Sequence, residues 1–206
     1  MRISYIINTA ASDPRVNTVG NPYRSAGYQR RYDLLKEKVL PAALTQGFDE
    51  ILVSGCFEEG NGYTYVTVPP RYRDRRDALW QREIGARYAT GDILVFGHDD
   101  HMLAPDFYDS LLNWCLHAKL PPWDLLIPRR IHGITGAELN NGKDEDYMGA
   151  HVLVMKRWLW AEVPWTLLNT IFWDTSMTRE WRAAGGKLVW ADDLIHIDVE
   201  ATEEEA

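Results

Sequence analysis

The sequence predicts an α/β fold, a single domain with a mostly parallel central sheet flanked by helices. Three observations carry this. Short apolar runs such as EILVSG, ILVF and DLLIP recur without the alternation of a half-exposed strand, as strands buried on both faces do. In the first half of the chain these runs alternate with segments whose apolar residues return at helical spacing. With 206 residues, 46% hydrophobic and 25% charged, the chain is large enough for one substantial core and small for two.

Residues 3–8 read as the first strand. The polar, turn-rich stretch that follows it, NTAASDPRVNTVGNPYRSAGYQ, is long for a connection inside one domain. Tyr28, Tyr32, Leu35 and Val39 mark a helix that Pro41 should kink or end. EILVSG at 50–55 and YTYVTV at 63–68 are the next strands. The basic stretch RYRDRRD leads into a helix with Trp80, Ile84 and Tyr88 on one face, and Gly91 is placed to cap its C-terminus. DILVFG at 92–97 is a further buried strand, and Pro105 opens a helix whose apolar face is Phe107, Leu111, Trp114 and Ala118. Then come DLLIP at 124–128 and a polar loop at 129–147, with Asn140-Asn141-Gly142 at a turn and the character of a lid. A strand-like GAHVLVM at 149–155 precedes a helix bearing Met177, Trp181 and Ala184, which Gly185-Gly186 stops before the strand KLVW. Residues 1–200 are read as the domain and 201–206 as an acidic, solvated tail.

The formal charge of -8 argues against broad attraction to nucleic acid or anionic membrane. Cys56 and Cys115 are too few and too far apart for a disulfide framework, so both read as core thiols of a reducing compartment. MRISYIINTA resembles a first strand more than a signal peptide, and no apolar run approaches the roughly 18 residues that span a bilayer. The expectation is a cytoplasmic protein without integral membrane association.

The chemistry concentrates in DILVFGHDDH. His98, Asp99, Asp100 and His101 follow an apolar strand directly, and in open α/β sheets ligands bind beyond the carboxyl ends of strands. Two adjacent carboxylates there repel unless a cation neutralises them, and oxygen ligands suit Mg2+ or Mn2+. A solvated acidic turn capping the next helix is the competing reading.

The stretch RDALWQREIGARYATGDILVFGHDDHMLAPDFYDSLL resembles the central segment of GT-A fold glycosyltransferases. It is most similar to the large inverting family that includes cellulose- and chitin-synthase-like and polysaccharide enzymes. Arg76-Asp77, Ala89-Thr90-Gly91-Asp92, the apolar strand and His98-Asp99-Asp100 follow in that family's order. The resemblance implies a GT-A-like, Rossmann-related sheet. It makes Asp100 the metal-binding carboxylate and sets Asp99 near the donor ribose or as a further metal ligand. His98 replaces the family's first Asp; an imidazole suits Mn2+ better than Mg2+, or it hydrogen-bonds the sugar.

FWDTSMTREWRAAGGKLVW continues the likeness, with Trp173 in place of one acid and Asp174 as general base or helix N-cap. His196 is implied as a further metal ligand, and strand alternation sets Asp198 on its face as a second candidate. Gly149, Ala150 and His151 resemble the segment that lines the sugar, and Asn8-Thr9-Ala10 the nucleotide-binding turn. Val53-Ser54-Gly55 lacks the Asp that binds uracil or ribose in the family. Arg73, Arg75 and Arg76 are placed to approach the diphosphate or to pair with Asp74 and Asp77, and Trp165 and Trp173 to stack on a sugar.

These residues imply a metal-dependent transferase. It moves a sugar from a nucleotide-diphosphate sugar, UDP-sugar favoured, to a hydroxyl of a glycan, small molecule or protein, with inversion. A modified DNA base also remains among the acceptors, against the acidic balance. Two other readings stay open: an idle GT-A-like nucleotide-binding module, and a metallo-β-lactamase-like hydrolase suggested by His98-x-Asp100-His101, whose first His would fall at Phe96.

Overall fold

In a computed structural model, residues 1–9, 30–55, 57–68, 77–117, 119–139, 151–165 and 173–199 are described. The apolar runs become the interior of an eight-stranded mixed sheet. β1 (Ile3–Thr9), β2 (Glu50–Gly55), β3 (Thr64–Thr67) and β4 (Ile93–His98) are joined by parallel pairings. β5 (His101–Leu103), β6 (Leu125–His132), β7 (Leu153–Lys156) and β8 (Leu188–Asp198) extend it in the order β3-β2-β1-β4-β7-β6-β8-β5. β7 runs against both β4 and β6, so β1, β2, β4, β6 and β8 all end at the same edge. Every residue of β1 is buried, which explains why its sequence is an unbroken apolar and small-polar run.

Alternation within β1 divides the core between two faces. Ile3, Tyr5 and Ile7 pack with Leu35, Val39, Phe107 and Leu111; Ile6 packs in a second cluster with Leu79, Ala86, Trp165, Met177 and Trp181. The first face is covered by α1 (residues 30–44) and α3 (Phe107–Leu116). The second is covered by α2 (Asp77–Tyr88) and α5 (Trp173–Ala183), with the short α4 (Arg157–Glu162) after β7. No helix among the described residues is long and apolar enough to cross a membrane.

Four local expectations are corrected. Pro41 does not end α1: the helix widens into a π-helical turn at Leu35–Val39, where the Leu40 amide donates to the Leu35 carbonyl, and it continues to Leu44. α2 does not bury Trp80, Ile84 and Tyr88. Tyr88 is exposed, and the helix turns Leu79 and Ala86 inward to the apolar core together with Arg82 and Glu83, which find neutral hydrogen-bond partners there. Gly91 is not a left-handed cap; its amide donates to Ser4 Oγ (2.7 Å), and an added Cβ would meet the Ser4 backbone nitrogen at 2.6 Å. The polar segment from 129 begins as strand, since β6 runs on to His132, and residues 140–147 of the expected lid lie outside the described residues. Gly185 behaves as expected: it takes positive φ, and the Gly186 amide donates to the Trp181 carbonyl to close α5.

Candidate active site

Local sequence builds the site from the end of β4. Asn8 and His98 are register partners on adjacent strands, so the ends of β1 and β4 lie side by side. Gly97 lets β4 pass the buried Tyr5, whose hydroxyl lies 2.5 Å from where a Cβ would sit. Asp99 and Asp100 form the turn into β5, and β5 is pinned by antiparallel pairing of His101 with Asp198 and Leu103 with His196. The Val199 amide donates to the Asp100 carbonyl (2.9 Å). A turn of two carboxylates is thus held rigidly and buried.

Burial alone would raise the Asp100 carboxyl, but His98, a hydrogen bond from His101 and the Arg31 charge outweigh it and hold it well below the usual carboxylate range. His101 Nδ1 lies 2.6 Å from Asp100 Oδ1, and His98 Nδ1 lies 3.4 Å from both Asp99 Oδ1 and Asp100 Oδ1. From α1, Arg31 reaches Asp100 Oδ2 at 2.8 Å and Asp99 Oδ1 at 3.5 Å. One ligand atom from each of His98, Asp99 and Asp100 lies within 4.8 Å of the others. One nitrogen and two oxygen donors at that spacing fit Mn2+, and Mg2+ less well.

Behind the carboxylates lies a layer of imidazoles. The His101 ring stacks on His151 (centroids 4.8 Å) and stands 5.1 Å from His196. Its Nε2 is 3.6 Å from Asp198 Oδ2, and Asp198 also accepts from Arg130 Nε at 3.1 Å. Burial, reinforced by His101, pushes His151 down to about 2 and His196 well below its ordinary value, so both are neutral. Neither ring nitrogen of His196 has a hydrogen-bond partner among the described residues. His132 serves structure: its Nδ1 accepts from the Ile134 and Thr135 amides and fixes the turn after β6.

Arg82 connects α2 to the site. Its Nε donates to Asn8 Oδ1 (3.0 Å), a terminal nitrogen donates to the His151 carbonyl (3.3 Å), and the guanidinium lies 5.0 Å over the Trp165 ring. Burial lowers its guanidinium to about 9, opposed by the Asp100 charge. Next to it, buried Glu83 accepts from Trp160 Nε1 and the Trp165 amide, both at 3.1 Å.

Among the residues expected from sequence, His98, Asp99 and Asp100 converge, and Thr9 is buried at the neighbouring end of β1. His196 and Asp198 do share a face of β8, but they flank His101 and are not among the three converging groups. Asp174 lies on the first turn of α5. The other end of that helix leads into the start of β8, and Gly186 there packs on Leu159 of α4, at the sheet edge opposite the carboxylates.

Trp165 is corrected. It is fully buried between Phe96 (5.1 Å), Trp181 (5.3 Å) and Arg82, and offers no ring face to a sugar. Phe96, at the first-His position of the hydrolase pattern, is buried within β4 and supplies no ligand there. Ser54, where a base-binding Asp was absent, donates to the Gln81 carbonyl (2.7 Å) and ties β2 to α2. Ala10, Arg73, Arg75, Arg76, Gly149 and Ala150, and the side chains of Trp173 and Asp174, lie outside the described residues. Sequence reasoning missed Arg31, Arg82 and Arg130. Only helical spacing from Leu35 singles out Arg31, and nothing local separates Arg82 from its arginine-rich surroundings.

No family model matches the chain, and no curated protein is a significant match. Solved structures do match. S. aureus TarS 1-349 superposes with a TM-score of 0.62 at 12% identity, over 96% of this chain and 60% of that one. The same protein in complex with UDP-GlcNAc gives 0.59 at 11% identity, over 98% of this chain and 61% of that one. The mannosyltransferase PcManGT from Pyrobaculum calidifontis, in complex with GDP-Man and Mn2+, gives 0.59 at 15%, over 98% and 58%. The chain thus spans about three fifths of the length of these structures. The fold is the GT-A fold of nucleotide-sugar glycosyltransferases.

Proposed function

We propose that the chain is a metal-dependent glycosyltransferase that moves a sugar from a nucleotide-diphosphate sugar to a hydroxyl acceptor, with inversion at the anomeric carbon. The observation that supports this best is the convergence of His98, Asp99 and Asp100 within 4.8 Å at the end of β4 on a GT-A sheet. Asp99 and Asp100 would hold Mn2+ or Mg2+ with His98 as nitrogen donor. The bound cation supplies positive charge against the diphosphate as it leaves.

The chain's own residues do the rest. Asp174 takes the acceptor hydroxyl's proton as that oxygen bonds to the anomeric carbon; the bond from that carbon to the diphosphate breaks, and its electron pair leaves with the diphosphate. Thr9 contributes to the nucleotide turn, Arg73 and Arg76 approach the diphosphate, and Gly149 and Ala150 leave room for the sugar. A UDP donor is favoured, and GDP is the alternative to test because PcManGT was solved in complex with GDP-Man and β2 ends without an acid. A glycan, small molecule or protein is the acceptor class.

A thermal-shift screen of UDP- and GDP-sugars with Mn2+ and Mg2+ tests the reading. Ligand at 100 times its Kd stabilises by about 2.7 kcal/mol, a readily measured shift. Absence of a shift with every donor and both metals would end it.

A further inference from the structure

Arg31 was not expected at this site, yet one guanidinium bridges both carboxylates, at 2.8 Å from Asp100 Oδ2 and 3.5 Å from Asp99 Oδ1. Asp100 Oδ1 is already engaged by His101 at 2.6 Å. Oδ2 is therefore the oxygen open to a cation, and Arg31 holds it. A divalent ion sits about 2.1–2.5 Å from a ligand oxygen, so ion and guanidinium on the same oxygen would be neighbouring positive charges and would repel.

We propose that Arg31 is a displaceable counter-ion. A divalent cation takes the Asp99-Asp100 pair only by expelling it, and the released guanidinium then binds the diphosphate of the nucleotide. The inference rests on the metal and nucleotide reading above and adds a residue to it. Helical geometry supports the motion. Arg31, Leu35 and Val39 lie at i, i+4 and i+8, and Leu35 and Val39 are buried against the sheet, so the helix is anchored. The side chain of Arg31 keeps 27% of its surface exposed, so its head can move while α1 stays fixed. Charge supports the destination. Two carboxylates and a diphosphate together exceed the charge of one divalent ion, and a planar guanidinium within a side chain's reach matches phosphate oxygens in bidentate fashion.

The test measures Mn2+ binding alone by the electron paramagnetic resonance signal of free Mn2+, then UDP and GDP binding at saturating Mn2+ by calorimetry. Wild type, Arg31→Gln and Arg31→Lys are compared after their melting transitions are checked. In Arg31→Gln the Kd for Mn2+ should fall on the order of tenfold, while the Kd of the tighter-binding nucleotide rises by a similar factor. Arg31→Lys, a point charge that cannot bridge both carboxylates, should fall between, and it carries the test if Arg31→Gln does not fold. Opposite signs for metal and nucleotide separate this role from structural damage, which weakens both. Equal Mn2+ affinity in wild type and Arg31→Gln, or unchanged nucleotide affinity, overturns the proposal while leaving the metal site in place. Failure of every protein to bind Mn2+ overturns the metal reading itself, and this inference with it.

Discussion

Gly97→Ala tests how the sheet aims the carboxylate turn. A Cβ at position 97 would lie 2.5 Å from Tyr5 Oη, 2.7 Å from Cε2 and 2.9 Å from Cζ. Tyr5 has no room to yield: its side chain is fully buried, with its ring 5.1 Å from that of Phe48. Overpacking of this kind costs about 1–3 kcal/mol. At about 2–4 °C per kcal/mol for a chain of this size, a cost of roughly 2 kcal/mol lowers Tm by about 4–8 °C. Tyr5→Phe removes the nearest of the three atoms. The Tyr5 hydroxyl has no hydrogen-bond partner among the described residues, so its loss alone should be neutral or stabilising. The double variant should recover part of the loss, with a coupling energy of about 1 kcal/mol, because the two ring carbons remain too close. Thermal melts of the four proteins give the cycle. An unchanged Tm in Gly97→Ala, or strict additivity with Tyr5→Phe, would refute the claim that Gly97 exists to let β4 pass Tyr5.

Three further outcomes follow. Asp174→Asn should leave nucleotide binding intact and lower transfer about a hundred- to ten-thousandfold, measured as nucleotide release with acceptor present; undiminished transfer removes it as the base. Trp165→Ala should cost about 3–5 kcal/mol in chemical denaturation, because it opens a cavity between Phe96 and Trp181 and removes the ring beneath Arg82. Stability should also fall in acid. The unfolded chain protonates His151 and His196 near pH 6.5 while the folded chain keeps both neutral, so each contributes a loss of about 1.4 kcal/mol per pH unit below that value. Asp100 adds to the loss below about pH 4, since its stabilising ionisation disappears as pH falls through the folded value. His196→Leu should reduce the slope between pH 6 and 4, and an unaltered slope would show that His196 is not held neutral.

The sequence by itself determined most of the strands, a mostly parallel sheet and the place of the carboxylate turn, but not β5 or the run of β6 past Pro128. The legible features rest on short-range signals: an apolar run of strand length, helical spacing between runs, and polar residues directly after a strand. The same logic set His196 and Asp198 on one face of β8, because alternation is a property of the strand itself. Tertiary structure alone decided which charges are buried and with whom. Arg31 meets Asp100 from a helix 69 residues earlier, and Arg82 meets Asn8 across 74 positions. Hydrophobic periodicity gave α2 the wrong inner face because Arg82 and Glu83 are buried by partners that sequence spacing does not reveal. His98 joined the carboxylates in place of His196 for a similar reason. β5 folds back between the turn and β8, so His101 occupies the space through which His196 would have approached. Burial of a charge depends on what the rest of the chain brings to it, and that is set by the order of strands in the sheet.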